Sequence, residues 1–160
     1  MNGKVAVVIG GHGHLGSMLS KALFDAGAEV VILDKHNCDV TQKAELEAHY
    51  DKIMKQYGRN DVLINMAGVN APTPFFEIDA DDINQILEVH VNALIYACQV
   101  FGAHMVDERR GSIINFASSN ASSFVSCSIV VSSSNGFSPS LSRIVAANPD
   151  TLSMWIWNPL

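Results

Sequence analysis

The chain has 160 residues, 48% of them hydrophobic and 16% charged, which is enough for one domain with a buried core. Its formal net charge is −6 and it has no basic stripe, so nothing in its charge pattern indicates nucleic-acid binding. The three cysteines are too few and too scattered for a disulfide framework or a zinc site, and they are typical of a reducing compartment.

The chain shows no targeting or membrane signal. The apolar run 5–9 ends at Gly10 after five residues, which is too short for a signal sequence. No uninterrupted apolar stretch approaches the roughly 18 residues of a membrane span. We therefore expect a cytoplasmic protein that binds neither membrane nor nucleic acid, with one domain over residues 1–160.

Short apolar runs alternate with amphipathic segments along the chain. The predicted strands cover residues 4–9, 29–34, 61–66 and 111–116, and the predicted helices cover residues 14–26, 41–57 and 79–106. The last of these helices carries one broad apolar stripe formed by Ile83, Ile86, Leu87, Leu94, Ala97, Cys98 and Phe101. Strands separated by helices of this length predict an α/β fold, a Rossmann-type doubly wound parallel sheet flanked by helices.

A glycine-rich loop joins the first predicted strand to the first helix. Gly10, Gly13 and Gly16 allow a tight turn and a close approach of the backbone to a pyrophosphate, which would lie on the helix N-terminus. We therefore predict cofactor contacts at these glycines and at His14 and Leu15. No Lys-Ser or Lys-Thr pair follows Gly16, which excludes a P-loop. His12 and His14 are interpreted as loop side chains, and no metal site is predicted.

Asp34 ends the second predicted strand, 18 residues after Gly16. A carboxylate at this point accepts both hydroxyls of the adenosine ribose and repels a 2′-phosphate, which favours NAD over NADP. The adjacent Lys35 acts against that preference. A solvated acid at the end of a strand is the alternative interpretation of Asp34.

Four further segments follow in a fixed order. They are Cys38-Asp39-Val40-Thr41, Leu63-Ile64-Asn65-Met66-Ala67-Gly68, Val91-Asn92-Ala93 and Ile114-Asn115-Phe116-Ala117-Ser118-Ser119. Together with the glycine loop, this order resembles the short-chain dehydrogenase/reductase family from residue 4 to about residue 157.

The resemblance implies hydride transfer between a nicotinamide cofactor and a small alcohol or carbonyl substrate. It implies cofactor contacts for Asp39, Val40, Asn65, Ala67 and Gly68, and places in the catalytic tetrad for Asn92 and Ser118. It also implies a homo-oligomer that packs through the long helix 79–106. The apolar residues of that helix serve equally well to cover their own sheet, so both interpretations stay open.

The chain departs from the family at the two residues that transfer protons. The family places a tyrosine thirteen residues after the catalytic serine and a lysine four residues later, because a nearby ammonium stabilises the phenolate. Val131 and Asn135 stand at these positions. Ser138-Pro139 has the pattern of a helix start and predicts that the next helix begins near residue 139.

Two other departures concern the sheet. Only three residues separate Asp34 from Cys38, so the sheet is expected to lack its outermost strand or to keep a stub at residues 38–40. Residues 152–157 are expected to form one last parallel strand. Three functions stay open: an NAD-dependent oxidoreductase with impaired catalysis, a non-catalytic NAD-binding or interaction protein, and a truncated gene product.

Overall fold

A computed structural model describes residues 1–70, 72–117, 144–146 and 153–157. The strands in these residues are β1 (Val5–Ile9), β2 (Glu29–Leu33), β3 (Val62–Asn65), β4 (Ser112–Ala117), β5 (Ile144–Ala146) and β6 (Ser153–Trp157). The helices are α1 (His14–Asp25), α2 (Lys43–Tyr57), α3 (Ala80–Leu87) and α4 (Ala93–Asp107). A short 3₁₀ turn, Phe75–Glu77, precedes α3, and a π-helical turn, Glu88–Asn92, joins α3 to α4. The strands form one sheet in the order β2-β1-β3-β4-β6-β5.

The four neighbouring strands β2, β1, β3 and β4 run parallel, which confirms the predicted doubly wound sheet. Val5 lies opposite Glu29, Ala6 opposite Val62, and Val62 opposite Ser112. All five residues of β1 are buried, because this strand has a neighbour on each side and helices over both faces.

Helices cover the two faces of the sheet unequally. On one face, α2 and α4 pack together over a core that includes Leu33, Leu46, Leu63, Phe101 and Ile113. On the other face, α1 lies against β1 and β2. Because β2, β1, β3 and β4 are parallel, their carboxyl ends lie at the same edge of the sheet, where the glycine loop leads into α1.

The predicted long helix forms over nearly its expected length, as α3, the π-helical turn and α4. The side chain of Asp79 accepts a hydrogen bond of 2.9 Å from the backbone N–H of Asp82 and caps the start of α3. The run Ala80–Asp107 has the length and mean hydropathy of a membrane-spanning helix, but its second half packs against α2 and β3.

The apolar stripe predicted on this helix is buried in its second half and largely exposed in its first half. Ile83 and Leu87 are each 48% exposed, whereas Ala97 and Phe101 are buried. A helical run of this length extends about 42 Å, and the short strands beneath it span only about 20 Å. The π-helical turn also rotates the residues before it relative to those after it.

The sheet ends at β2, and the stub expected at residues 38–40 does not form. The side chain of Asn37 pairs with the outer edge of β2 instead. Its Nδ2 donates to the carbonyl oxygen of Ile32 at 2.9 Å, and its Oδ1 accepts from the backbone N–H of Asp34 at 2.8 Å. One amide side chain thus satisfies the backbone groups that a neighbouring strand would satisfy.

The expectation of a last parallel strand at residues 152–157 is wrong. Within the described residues, β6 runs antiparallel to β4, with Ile113 opposite Trp157 and Phe116 opposite Met154. Strand β5, which the sequence pattern did not indicate, pairs antiparallel with β6.

The length of one connection explains the antiparallel pairing of β5 with β6. A parallel return needs a crossover of about a dozen residues, and only residues 147–152 separate β5 from β6. Because residues 144–146 form a strand, a helix that begins near residue 139 cannot extend through them. Residues 131–143, where that helix was predicted to begin, lie outside the described residues.

One buried residue, Asp61, connects the starts of three parallel strands through its carboxylate and its backbone. Asp61 accepts hydrogen bonds from the backbone N–H of Val5 at 2.9 Å, from Nζ of Lys4 at 3.1 Å and from the guanidinium of Arg59 at 2.6 Å. Its backbone N–H donates to Val5, and its carbonyl oxygen accepts from Ser112. Burial acts to raise the pKa of Asp61, but the Arg59, Val5 and Lys4 donors together hold that pKa well below its usual range.

We expect Asp61→Asn to lower the free energy of unfolding at pH 7 by about 2 kcal/mol, because several donors lose a charged acceptor. The folded-state pKa of Asp61 is depressed, so its contribution is present above the unfolded-state value near 4 and is lost as pH falls below it. Urea unfolding at pH 7 and pH 3 measures both effects. Asp107→Asn, at the end of α4, is the control. An equal difference between wild type and Asp61→Asn at both pH values would contradict the prediction.

Candidate functional site

A cleft of about 290 Å³ opens at the carboxyl edge of the parallel strands. It is lined by Gly10, Gly13, His14, Leu15, Gly16, Met66 and Phe116. The loop after β1, the residue after β3 and a residue near the end of β4 therefore meet at one place, as the topology of a doubly wound sheet requires. All five residues that were predicted to form the phosphate-binding loop lie in this cleft.

Two glycines in the loop are required by close backbone contacts. Gly10 has φ +80°, and a Cβ atom on it would lie 2.7 Å from the backbone nitrogen of Ala67. A Cβ atom on Gly16 would overlap the carbonyl oxygen of Gly10. The loop thus folds back on itself and packs directly against the segment that follows β3, which leaves no space for larger side chains.

The N-terminus of α1 faces the cleft with free backbone donors. Gly13 occupies the N-cap position and provides no side-chain acceptor, and the first helical bond runs from the N–H of Ser17 to the carbonyl of Gly13. The amides of His14, Leu15 and Gly16 precede that bond and have no acceptor within the helix. Donors of this kind, together with the helix dipole, attract an anion such as a pyrophosphate.

Asp34 lies directly beside the glycine loop. Its Oδ2 accepts a hydrogen bond of 3.0 Å from the backbone N–H of His12, and its Oδ1 accepts one of 2.8 Å from the N–H of Lys35. The structure therefore joins the predicted ribose-binding acid to the predicted phosphate-binding loop through one hydrogen bond. Both carboxylate oxygens keep lone pairs that can accept further hydrogen bonds.

Asp39 and Val40, predicted to contact an adenine ring, lie in the turn before α2. Oδ1 of Asp39 accepts from the backbone N–H and the hydroxyl of Thr41, and its own N–H donates to Glu45. Val40 packs partly buried against the core. Neither residue lines the cleft at the glycine loop.

Asn65 lies inside the fold rather than on the surface of the cleft. Its Nδ2 donates to Oδ1 of Asn115 at 2.8 Å and approaches Sγ of Cys98 at 3.7 Å. Burial raises the pKa of the Cys98 thiol to about 11, and the bond from Asn65 acts in the opposite direction. Asn65 therefore links β3 to β4 under α4, which fits a role in the central sheet.

Ala67 and Gly68 form the wall between the glycine loop and the long helix. Ala67 packs against Gly10, and a Cβ atom on Gly68 would lie 2.9 Å from Cε1 of His90. Nε2 of His90 lies 3.1 Å from the backbone N–H nitrogen of Val69 and 2.7 Å from its carbonyl oxygen. The sequence pattern singled out neither His90 nor Phe116, because their neighbours come from distant parts of the chain.

The catalytic residues implied by the family resemblance are described only in part. Asn92 is half-buried at the last position of the π-helical turn, two residues after His90. Ser118 follows directly after β4 but lies outside the described residues, as do Val131 and Asn135. In the part of the chain that the structure describes, no group of His, Cys, Asp or Glu side chains is arranged to hold a metal ion.

Comparisons with known proteins agree with the fold. The family model for short chain dehydrogenases matches residues 36–149. D-threitol dehydrogenase of Mycolicibacterium smegmatis is 28% identical over 142 residues, which cover 76% of this chain and 55% of that protein. L-fucose dehydrogenase of Oryctolagus cuniculus is 30% identical over 133 residues, which cover 72% of this chain and 46% of that protein. The chain thus spans about half the length of these curated relatives.

A solved structure gives the same result. The NAD⁺-bound form of a xylitol dehydrogenase superposes with a TM-score of 0.72 and 25% identity, covering 77% of this chain and 56% of that chain. The family model covers well over half of the sequence. Because it begins after the glycine loop, the geometry of that loop is an observation independent of the match to the family model. The chain therefore belongs to the short-chain dehydrogenase/reductase family of oxidoreductases.

Proposed function

We propose that this chain binds NAD in the cleft at the glycine loop, in preference to NADP. The observation that carries the proposal is the hydrogen bond between the amide of His12 and the carboxylate of Asp34, which sets the acid beside the loop. The glycines fit a dinucleotide, because a Cβ atom on Gly10 or Gly16 would meet backbone atoms in the turn that a pyrophosphate must approach. When bound, a nicotinamide dinucleotide supplies hydride transfer.

Different residues of the chain would bind different parts of the dinucleotide. The free amides of His14, Leu15 and Gly16 would hold the pyrophosphate, and Asp34 would accept the ribose hydroxyls. Asp39 and Val40 would contact the adenine ring from the turn before α2. Asn65, Ala67 and Gly68 would hold the wall of the cleft, through Asn115 and Gly10.

The substrate class follows from the family and from the names of the relatives. Proteins called D-threitol dehydrogenase and L-fucose dehydrogenase are similar to this chain, which supports a small alcohol or its carbonyl counterpart as substrate. Ser118 and Asn92 would remain from the catalytic tetrad. The side chain of Val131 has no proton to transfer and that of Asn135 has no charge, so we propose that turnover by the usual mechanism is impaired.

A non-catalytic NAD-binding or interaction protein is the second candidate. Phe75 and Phe76 are 76% and 97% exposed before α3, and Ile83 and Leu87 add exposed apolar surface on that helix. Apolar side chains grouped in this way are typical of association surfaces. They support a homo-oligomer as part of this candidate.

Binding of NADH tests both candidates. We expect fluorescence titration to detect NADH binding by the full chain, and Gly16→Ala to weaken that binding about tenfold, because the added methyl group displaces the backbone of Gly10. Gly102→Ala, on α4 away from the cleft, is the matched control, since a Cβ atom on Gly102 would meet only Cδ1 of the Ile113 side chain, at 3.3 Å. Circular dichroism verifies that each variant keeps its helices. Equal NADH affinity in Gly16→Ala and wild type would contradict the assignment of the cleft.

Restoring the proton-transfer pair tests the catalytic proposal. We expect wild type to show no NAD-dependent oxidation of a panel of small polyols, and the double variant Val131→Tyr with Asn135→Lys to gain measurable turnover. The reason is that an ammonium near the phenol lowers its pKa toward neutrality. Val131→Phe with Asn135→Lys is the matched control, because it lacks only the hydroxyl. Wild-type turnover as fast as that of an active double variant would contradict impaired catalysis.

A further inference from the structure

The segment that follows β3 is held from two sides. On one side, Ala67 packs against Gly10 of the glycine loop. On the other side, His90 of the π-helical turn lies against Gly68, where a Cβ atom would approach Cε1 of the ring at 2.9 Å. Residues 66–70 belong to no helix or strand, so their position depends on contacts with neighbouring elements.

The hydrogen bond from His90 to this segment forms with either neutral form of the imidazole. Nε2 lies 2.7 Å from the carbonyl oxygen of Val69 and 3.1 Å from its backbone nitrogen. When Nε2 carries the hydrogen it donates to the carbonyl, and when it does not it accepts from the N–H. Among the described residues, His90 is the only side chain that hydrogen-bonds to residues 67–70.

The order of the strands indicates which half of a dinucleotide this segment would meet. Asp34 follows β2, on one side of β1, and the segment after β3 lies on the other side of β1. With its adenosine ribose at Asp34 and its pyrophosphate at the start of α1, a dinucleotide would extend its second half toward β3 and β4. Met66 and Phe116 line the cleft at that end. His90 therefore supports the wall of the cleft that the nicotinamide half would contact.

We propose that His90 is a positioning residue for the nicotinamide half of the cofactor, acting through its hydrogen bond to Val69. The inference rests on the proposed function. The bond holds the backbone after β3 in place before the cofactor arrives, so less binding free energy is lost in ordering that wall. The same π-helical turn ends at Asn92, the asparagine that the family resemblance assigns to the catalytic tetrad. Turns of this kind are frequent at functional sites.

A second hydrogen bond joins the same loop to the long helix and provides a control. Oγ1 of Thr73 donates to Oδ2 of Asp82, on α3, at 2.6 Å. Thr73 follows Val69 in the loop and does not line the cleft. Thr73→Val removes this bond and leaves the bond between His90 and Val69 in place. It therefore separates a general loosening of the loop from the loss of the contact at the wall.

Calorimetric titration of the full chain with NADH and with ADP tests the inference. ADP ends at the pyrophosphate, so its binding reports on the glycine loop and Asp34 without the nicotinamide half. We expect wild type to bind NADH more tightly than ADP. We expect His90→Ala to weaken NADH binding roughly fivefold, the strength of about one net hydrogen bond, and to leave ADP affinity unchanged.

Two further variants complete the design. His90→Gln is expected to recover the NADH affinity of wild type, because its amide offers both a donor and an acceptor near the place of Nε2. Thr73→Val is expected to bind both ligands as wild type does. Circular dichroism verifies that each variant keeps its helices.

The outcomes separate this inference from the proposed function. Equal NADH affinity in wild type and His90→Ala overturns the inference and leaves the proposed function standing, and so does an equal loss of NADH and ADP affinity in His90→Ala. A loss of NADH affinity in Thr73→Val as large as that in His90→Ala also overturns it, as does His90→Gln binding NADH no better than His90→Ala. Binding of neither ligand by wild type overturns both. A loss confined to NADH in His90→Ala and recovered in His90→Gln confirms the role of His90.

Discussion

The close contact between Gly10 and Ala67 is the constraint on which the candidate site depends. It brings the loop after β1 against the segment after β3. A Cβ atom added to Gly10 would lie only 2.7 Å from the backbone nitrogen of Ala67. Gly16 then passes directly beside the carbonyl of Gly10, so α1 starts at the cleft with its free amides in place. At the other ends of the strands, the buried carboxylate of Asp61 joins the starts of β1 and β3. Strands β1 and β3 are thus held together at both ends, directly beneath the cleft.

Polar groups buried in the centre of the sheet hold the strands beneath the cleft in register, at a cost in the free energy of folding. Asn65 and Asn115 are neighbours in register on β3 and β4, and their side chains form one hydrogen bond under α4. Oδ1 of Asn65 has no hydrogen-bond partner among the described residues, and an unpaired buried acceptor costs about 1–3 kcal/mol. An apolar pair would avoid that cost. A polar pair instead requires one alignment of the two strands, which places Phe116, the residue after Asn115, in the cleft.

The short connection after Asp34 links the edge of the sheet to the chemistry of the site. The carbonyl of Asp34 accepts bonds from the amides of Asn37 and Cys38, and the Asn37 side chain pairs with the edge of β2. The turn closes without another strand, and it directs the Asp34 carboxylate toward the amide of His12. One compact turn therefore both ends the sheet and positions the acid that is proposed to bind ribose.

The sequence by itself determined the alternation of strands and helices, the parallel sheet, the position of the glycine loop and the position of Asp34. These features depend on local patterns, such as the buried run of β1 and the glycines after it, and the tertiary structure agrees with them. Only the tertiary structure decided that β6 runs antiparallel, that Asn37 completes the edge of β2, and that Ile83 and Leu87 are exposed. It also brought His12, His90 and Phe116 to the groups they contact. The physical reason is that strand direction, edge pairing and burial depend on which distant segments become neighbours, and a local pattern does not specify that.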